Sequence, residues 1–112
     1  MKMVVAIIQP QQLPAVKEAL FEAQIKHLTA TNILGTAPEG AEVHVFRGVS
    51  HEVSLFQKLR IELALREELV DRAVDAIERG ARESGGFGVI FVTELHDVVN
   101  VATGERGDRA LR

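Results

Sequence analysis

The sequence predicts an α+β fold in which two βαβ units share one antiparallel sheet. Three observations carry that expectation. Short β-branched and aliphatic runs alternate with helix-period stripes in the order β-α-β, loop, β-α-β. The apolar pattern of the first half returns 57 residues later: Val4, Ala6 and Ile8 fall on Ile61, Leu63 and Leu65, and Leu13, Val16 and Leu20 fall on Val70, Ala73 and Ile77. The length, 112 residues, is that of one domain.

Met3 to Ile8 is a continuous apolar run ended by Gln9-Pro10, which reads as a buried strand. Leu13, Val16, Leu20 and Ala23 then recur at helical spacing, and Pro14 suits a first turn, so an amphipathic helix is expected over 13–24. Thr29 to Leu34 reads as a second strand stopped by Gly35. Gly35 to Gly40, with Pro38, reads as a loop, and 41–54 as an excursion with some strand character. Leu59, Ile61, Leu63 and Leu65 share one face of a third long strand within 55–65. Leu69, Val70, Ala73, Val74 and Ile77 form a second helical stripe, expected to end at Gly80 and the Gly85-Gly86 pair. Val89 to Val92 is the last core strand, and Asp97 to Ala102 adds a short strand-like run.

Two βαβ units sharing a sheet give the split, ferredoxin-like arrangement. Right-handed crossovers place both helices on one face. The other face carries Val5, Ile7 and Thr29, which a lone chain would leave wet. Oligomerisation through that face is the expected remedy.

Composition narrows the function classes. There is no Cys, which excludes a disulfide framework and a thiolate metal site and fits a reducing cytoplasm. The first apolar run is too short for a signal core or a membrane span. A net charge of −3 gives no global basic field for nucleic acid, although Arg106 to Arg112 is locally basic. Ser50 and Ser54 have no activating partner in the sequence, so no catalytic residue is expected. His44 and His51 lie seven apart in the loop beside Glu42 and Glu52, a weak metal constellation whose plain alternative is solvated histidines.

Four motifs, in order, resemble the PII signal-transduction proteins over nearly the whole chain. They are Ala6-Ile7-Ile8-Gln9-Pro10, Phe46-Arg47-Gly48, Gln57-Lys58-Leu59-Arg60-Ile61-Glu62 and Thr103-Gly104-Glu105-Arg106-Gly107-Asp108, with one apparent deletion near Ser84. The resemblance implies a single PII-like domain over 1–112, a protruding output loop over 37–55 and a C-terminal tail over 103–112. It also implies a homotrimer with nucleotide clefts between subunits, acting in the cytoplasm on a membrane transporter or a metabolic enzyme through the loop.

Carried over residue by residue, the resemblance assigns Ile7, Thr29 and Ala64 to an adenine and ribose site, Glu62 to the cleft lining, Lys58 to an anion, and Gly35, Gly86, Phe87 and Gly88 to the turns around it. Each has a plain alternative. Lys58 and Glu62 read equally as solvent-facing strand residues, the glycines as turn formers, and Ile7, Thr29 and Ala64 as core. The sequence also departs from the family. Ala37-Pro38-Glu39 replaces Gly-x-Gln, His51 replaces a modifiable Tyr, Val89 replaces a Lys, and Asn100 and Ala102 replace two Arg. Each lost charge-assisted phosphate contact is worth about 1.5–3 kcal/mol. These changes argue against Mg–ATP with 2-oxoglutarate and for an adenine nucleotide (AMP, ADP or ATP) with altered phosphate preference. The alternatives on the same fold are a metal-binding protein and a nucleotide-independent trimeric adaptor whose cleft Phe87 would fill. Nitrogen control is the family's default, with inorganic-carbon transport the other pathway.

Overall fold

The structure, a computed structural model, describes residues 1–36, 45–46, 49–50 and 55–111. Its elements are β1 (Lys2–Ile8), α1 (Leu13–Glu22), β2 (Thr29–Thr36), β3 (Val45–Phe46), β4 (Val49–Ser50), β5 (Leu55–Leu65), α2 (Val70–Glu83) and β6 (Val89–Glu94). Short 3-10 turns at Pro10–Gln12 and Glu67–Leu69 lead into the two helices.

Four strands form one antiparallel sheet in the order β2-β5-β1-β6. This is the ferredoxin-like layout, with the two halves interleaved so that β1 and β5 are central. Ala6 stands opposite Ile61 on one side and Ile90 on the other, so the β1 backbone is paired along both edges. A central position suits an apolar run, because no backbone edge of such a strand is left to water and one of its faces lies under the helices. β3 and β4 pair with each other as a two-residue ribbon (Val45 with Ser50, Phe46 with Val49). The remainder of the 37–55 excursion, including Glu39, His44, Arg47 and His51, lies outside the described residues.

Both helices cover the same sheet face. Val4, Ala6, Ile8, Leu59, Ile61, Leu63 and Leu65 are buried beneath Val16, Leu20, Val70, Ala73 and Ile77. Burying an aliphatic side chain of this kind contributes about 1.5–3 kcal/mol. The pairing of repeats seen in the sequence is thus a pairing of core faces.

Several boundaries differ from expectation. α1 ends at Glu22, before the expected 24, because Gln24 turns left-handed (φ 65°) and the Ile25 N–H closes on the Leu20 carbonyl at 2.9 Å. β2 runs through Gly35 to Thr36, since Gly35 still pairs opposite Phe56. α2 does not stop at Gly80. That residue lies inside the helix, where a Cβ would meet the Ala15 carbonyl oxygen and the Val16 Cα at 2.8 Å. Gly80 is therefore the point of closest helix–helix approach. The helix ends where Ser84 Oγ donates to the Gly80 carbonyl (2.6 Å) and the Gly86 N–H to the Ala81 carbonyl (2.8 Å).

Beyond β6, the strand-like run 97–102 reduces to one bridge, Val99 with Arg106, and a closing 3-10 turn at Gly107–Leu111. The open sheet face also differs in detail. Val5 is only 8% exposed, flanked by Phe91 and Glu62 on the adjacent strands. Ile7 is half-buried and Thr29 exposed, and the largest wet apolar groups on that face are Phe91 and Val89 on the edge strand β6, both about half exposed.

Candidate functional site

A cleft of about 390 Å³ opens where β1 ends. Its walls are Ile7, Ile8 and Gln9 from β1 and its exit, Lys58 from β5, and Gly86, Phe87, Gly88 and Val89 from the turn into β6. A volume of this size suits a small organic ligand. Among the described residues, Lys58 is the one charged side chain in the lining. Phe87 is one of the residues lining this cleft.

Glycine matters at two places here, and backbone geometry requires it only at the first. Gly88 has φ 146°, and a Cβ there would sit 3.1 Å from the Ile7 carbonyl oxygen, so the turn passes close over the β1 backbone. Gly35 faces Lys58 across the β2–β5 pair. A Cβ at Gly35 would lie 3.0–3.3 Å from Lys58 Cδ, Cε and Nζ. The missing side chain leaves the lysine a flat track along β2.

The residues singled out in the sequence fall into two groups. Ile7, Lys58, Gly86, Phe87 and Gly88 line the cleft, and Gly35 borders it through Lys58. Thr29, Glu62 and Ala64 do not. Thr29 pairs opposite Glu62, and Ala64 opposite Met3, further along the same open face. Lys58 and Ala64 are six residues apart on β5, about 20 Å at about 3.3 Å per residue. One chain does not bring the two groups around a single small ligand. Glu62 is engaged by Arg60, with Nε–Oε1 at 2.7 Å.

Sequence reasoning missed Ile8 and Gln9 in the lining; Val89, expected there only as the replacement for a phosphate-facing Lys, lines the cleft as an apolar group. It also missed Gln12. That side chain is fully buried. Its Oε1 accepts from the Gln9 N–H (2.7 Å), and its Nε2 donates to the carbonyls of Ala81 (3.0 Å) and Phe87 (2.8 Å). The signal was present: Gln12, Val16 and Leu20 are spaced i, i+4, i+8, which puts an amide on the core stripe.

The tail residues that differ from the family have local partners. Asn100 Oδ1 accepts from the Ala102 N–H (2.9 Å) and the Thr103 N–H (3.3 Å), shaping the turn. Arg106 Nε donates to Asp97 Oδ2 at 2.9 Å, and a second guanidinium nitrogen binds the same oxygen. Arg106 hydrogen bonding first, then the Val98 N–H, lowers the Asp97 pKa from its ordinary value, and the Arg106 pKa is raised in return. Among the described residues no group of three or more His, Asp and Glu could hold a metal ion. The loop histidines lie outside them. No helix among the described residues is long and apolar enough to cross a membrane.

Comparison with known proteins gives a consistent match. The family model described as "Nitrogen regulatory protein P-II" matches residues 1–105. The chain is 42% identical over 112 residues to a nitrogen regulatory protein P-II of Rhizobium etli, and 39% identical to one of Azospirillum brasilense. Both alignments cover 99% of this chain and all of the relative. It is 32% identical over 114 residues to the nitrogen regulatory protein GlnK1 of Methanosarcina mazei, covering 97% of that protein.

Proposed function

The chain belongs to the nitrogen regulatory protein P-II family, and from that premise we propose that it is a trimeric effector sensor. It binds an adenine nucleotide with altered phosphate preference in clefts between subunits. Nucleotide occupancy changes the 37–55 loop and so its hold on a transporter or metabolic enzyme in the cytoplasm. The protein works by regulation rather than catalysis.

The observation that carries this reading is the cleft itself, where, among the described residues, a single ammonium, Lys58, meets a glycine turn of apolar flanks. An ammonium and close-approaching backbone suit a phosphate, while Ile7, Phe87 and Val89 suit a base or ribose face. The second group, Thr29, Glu62 and Ala64, lies too far along the face to serve the same ligand in one chain. A second copy, docked through the exposed Phe91 and Val89 surface, would supply it from the neighbouring subunit. One lysine in place of several cations favours a ligand with fewer phosphates.

Calorimetric titration with AMP, ADP and ATP tests the assignment. Binding of at least one nucleotide is expected, weakened about 10-fold or more by Lys58→Ala, as befits a charge-assisted contact. The absence of binding by every nucleotide at millimolar concentration would sink the reading.

A further inference from the structure

Gln12 is the one buried polar side chain of the described residues. Its amide satisfies three backbone groups that no strand or helix ladder reaches together. The Gln9 N–H lies one residue past the end of β1. The Ala81 carbonyl belongs to the last turn of α2, and the Phe87 carbonyl to the turn entering β6. Gln9 and Phe87 both line the candidate cleft. One side chain therefore ties these two lining segments together.

We propose, building on the effector reading above, that Gln12 is the positioning residue of this cleft. Its buried amide fixes the Gly86–Gly88 turn against the exit of β1 and so sets the width of the opening. The turn needs such a tie. Gly85, Gly86 and Gly88 all have positive φ (132°, 78° and 146°), and a glycine-rich segment has the most conformational freedom to lose on ordering. The Gly86 N–H bond to Ala81 holds only its beginning. Gln12 Nε2 holds its middle through Phe87. An apolar side chain of the same length would fill the space and leave the Phe87 carbonyl and the Gln9 N–H without this partner, while the Ala81 carbonyl would keep the Gly86 N–H.

The test combines hydrogen exchange with nucleotide titration on the full chain. In the wild type, the Gln9 amide should be protected although it lies outside the sheet. In Gln12→Met, exchange at residues 86–88 should rise, and affinity for the tightest-binding of AMP, ADP and ATP should fall about 10-fold, the scale of one lost buried hydrogen bond. The core variant Leu20→Val, destabilised without touching the turn, should keep wild-type affinity. An unprotected Gln9 amide, unchanged exchange at 86–88, or an equal affinity loss in Leu20→Val overturns the proposal. The wild-type Gln9 measurement decides even if Gln12→Met fails to fold. If the wild type binds no nucleotide, the effector reading falls, and the exchange data alone uphold or overturn Gln12 as the tie.

Discussion

Gly80 and Gly86 are both glycines of the α2 region, yet they are glycine for opposite reasons. At Gly80 the limit is space, since a Cβ would lie 2.8 Å from the backbone of Ala15 and Val16. Alanine is the better helix former by about 1 kcal/mol, but backbone cannot yield as a side-chain tip does. Gly80→Ala is therefore expected to destabilise by about 1–3 kcal/mol, as overpacking does, read as a lowered thermal midpoint. An unchanged or raised midpoint would show that the helices can separate at little cost. At Gly86 a Cβ would meet nothing within 4 Å, but φ is 78°. There Gly86→Ala should cost about 1–2 kcal/mol from the left-handed backbone alone, and denaturant melts would register it without any change in helix packing. Gly35 presents a third case. Its neighbour is the flexible Lys58 tail, so Gly35→Ala should leave stability nearly unchanged while shifting Lys58 and weakening nucleotide binding.

At the scale of elements, the region after β6 is held by small polar ties rather than by a core. Val99 bridges Arg106, Asn100 shapes the turn between them, and the Gly107 N–H donates to the Val98 carbonyl at 2.9 Å. The Asp97–Arg106 pair joins the two ends. Because the fold lowers the Asp97 pKa below its ordinary 3.8, the pair stabilises this segment above that value. The contribution is lost as pH falls through the lowered pKa, when the carboxyl takes up its proton. Both groups are exposed, so the effect is local and screened by salt. NMR titration should place the Asp97 midpoint below 3.8 in the wild type and nearer to it in Arg106→Gln. Identical midpoints would remove the pair from the account of the tail.

At the scale of the molecule, the sheet is covered on one face only. The helices bury one side, and the other leaves Phe91 at 51% and Val89 at 46% exposure. Exposed apolar groups clustered on one face favour association. On the proposed trimer, the paired substitution Val89→Glu with Phe91→Glu should give monomers, measured by light scattering after size exclusion. Phe91→Glu alone, which leaves the cleft lining intact, should lower nucleotide affinity as well, since Thr29, Glu62 and Ala64 would no longer reach a neighbour's cleft. A trimer that survives both charges would shift the interface elsewhere.

Much of this architecture was legible in the sequence because local patterns report local environment. The β-branched run of β1, the alternation of β5 and the stripes of the two helices each follow from which side chains must leave water. The offset repeat joined them into one sheet. Gly80 misled, because the same residue that ends a helix also permits close packing inside one, and only the position of α1 distinguishes the two. Gln12 was only half legible for a similar reason: its place on the helix stripe marks its burial, but two of its three partners are 69 and 75 residues away in the chain and no local pattern encodes them. The sequence by itself determined the elements, their core faces and most of the residues around the cleft. The tertiary structure decided which of those residues meet. It gathered Ile7, Lys58 and the Gly86–Gly88 turn, left Thr29, Glu62 and Ala64 about 13–20 Å along the face, and committed Asn100 and Arg106 to the tail. Proximity between distant segments arises from the register of the paired strands and the packing of helices upon them, and it exists only once the chain is folded.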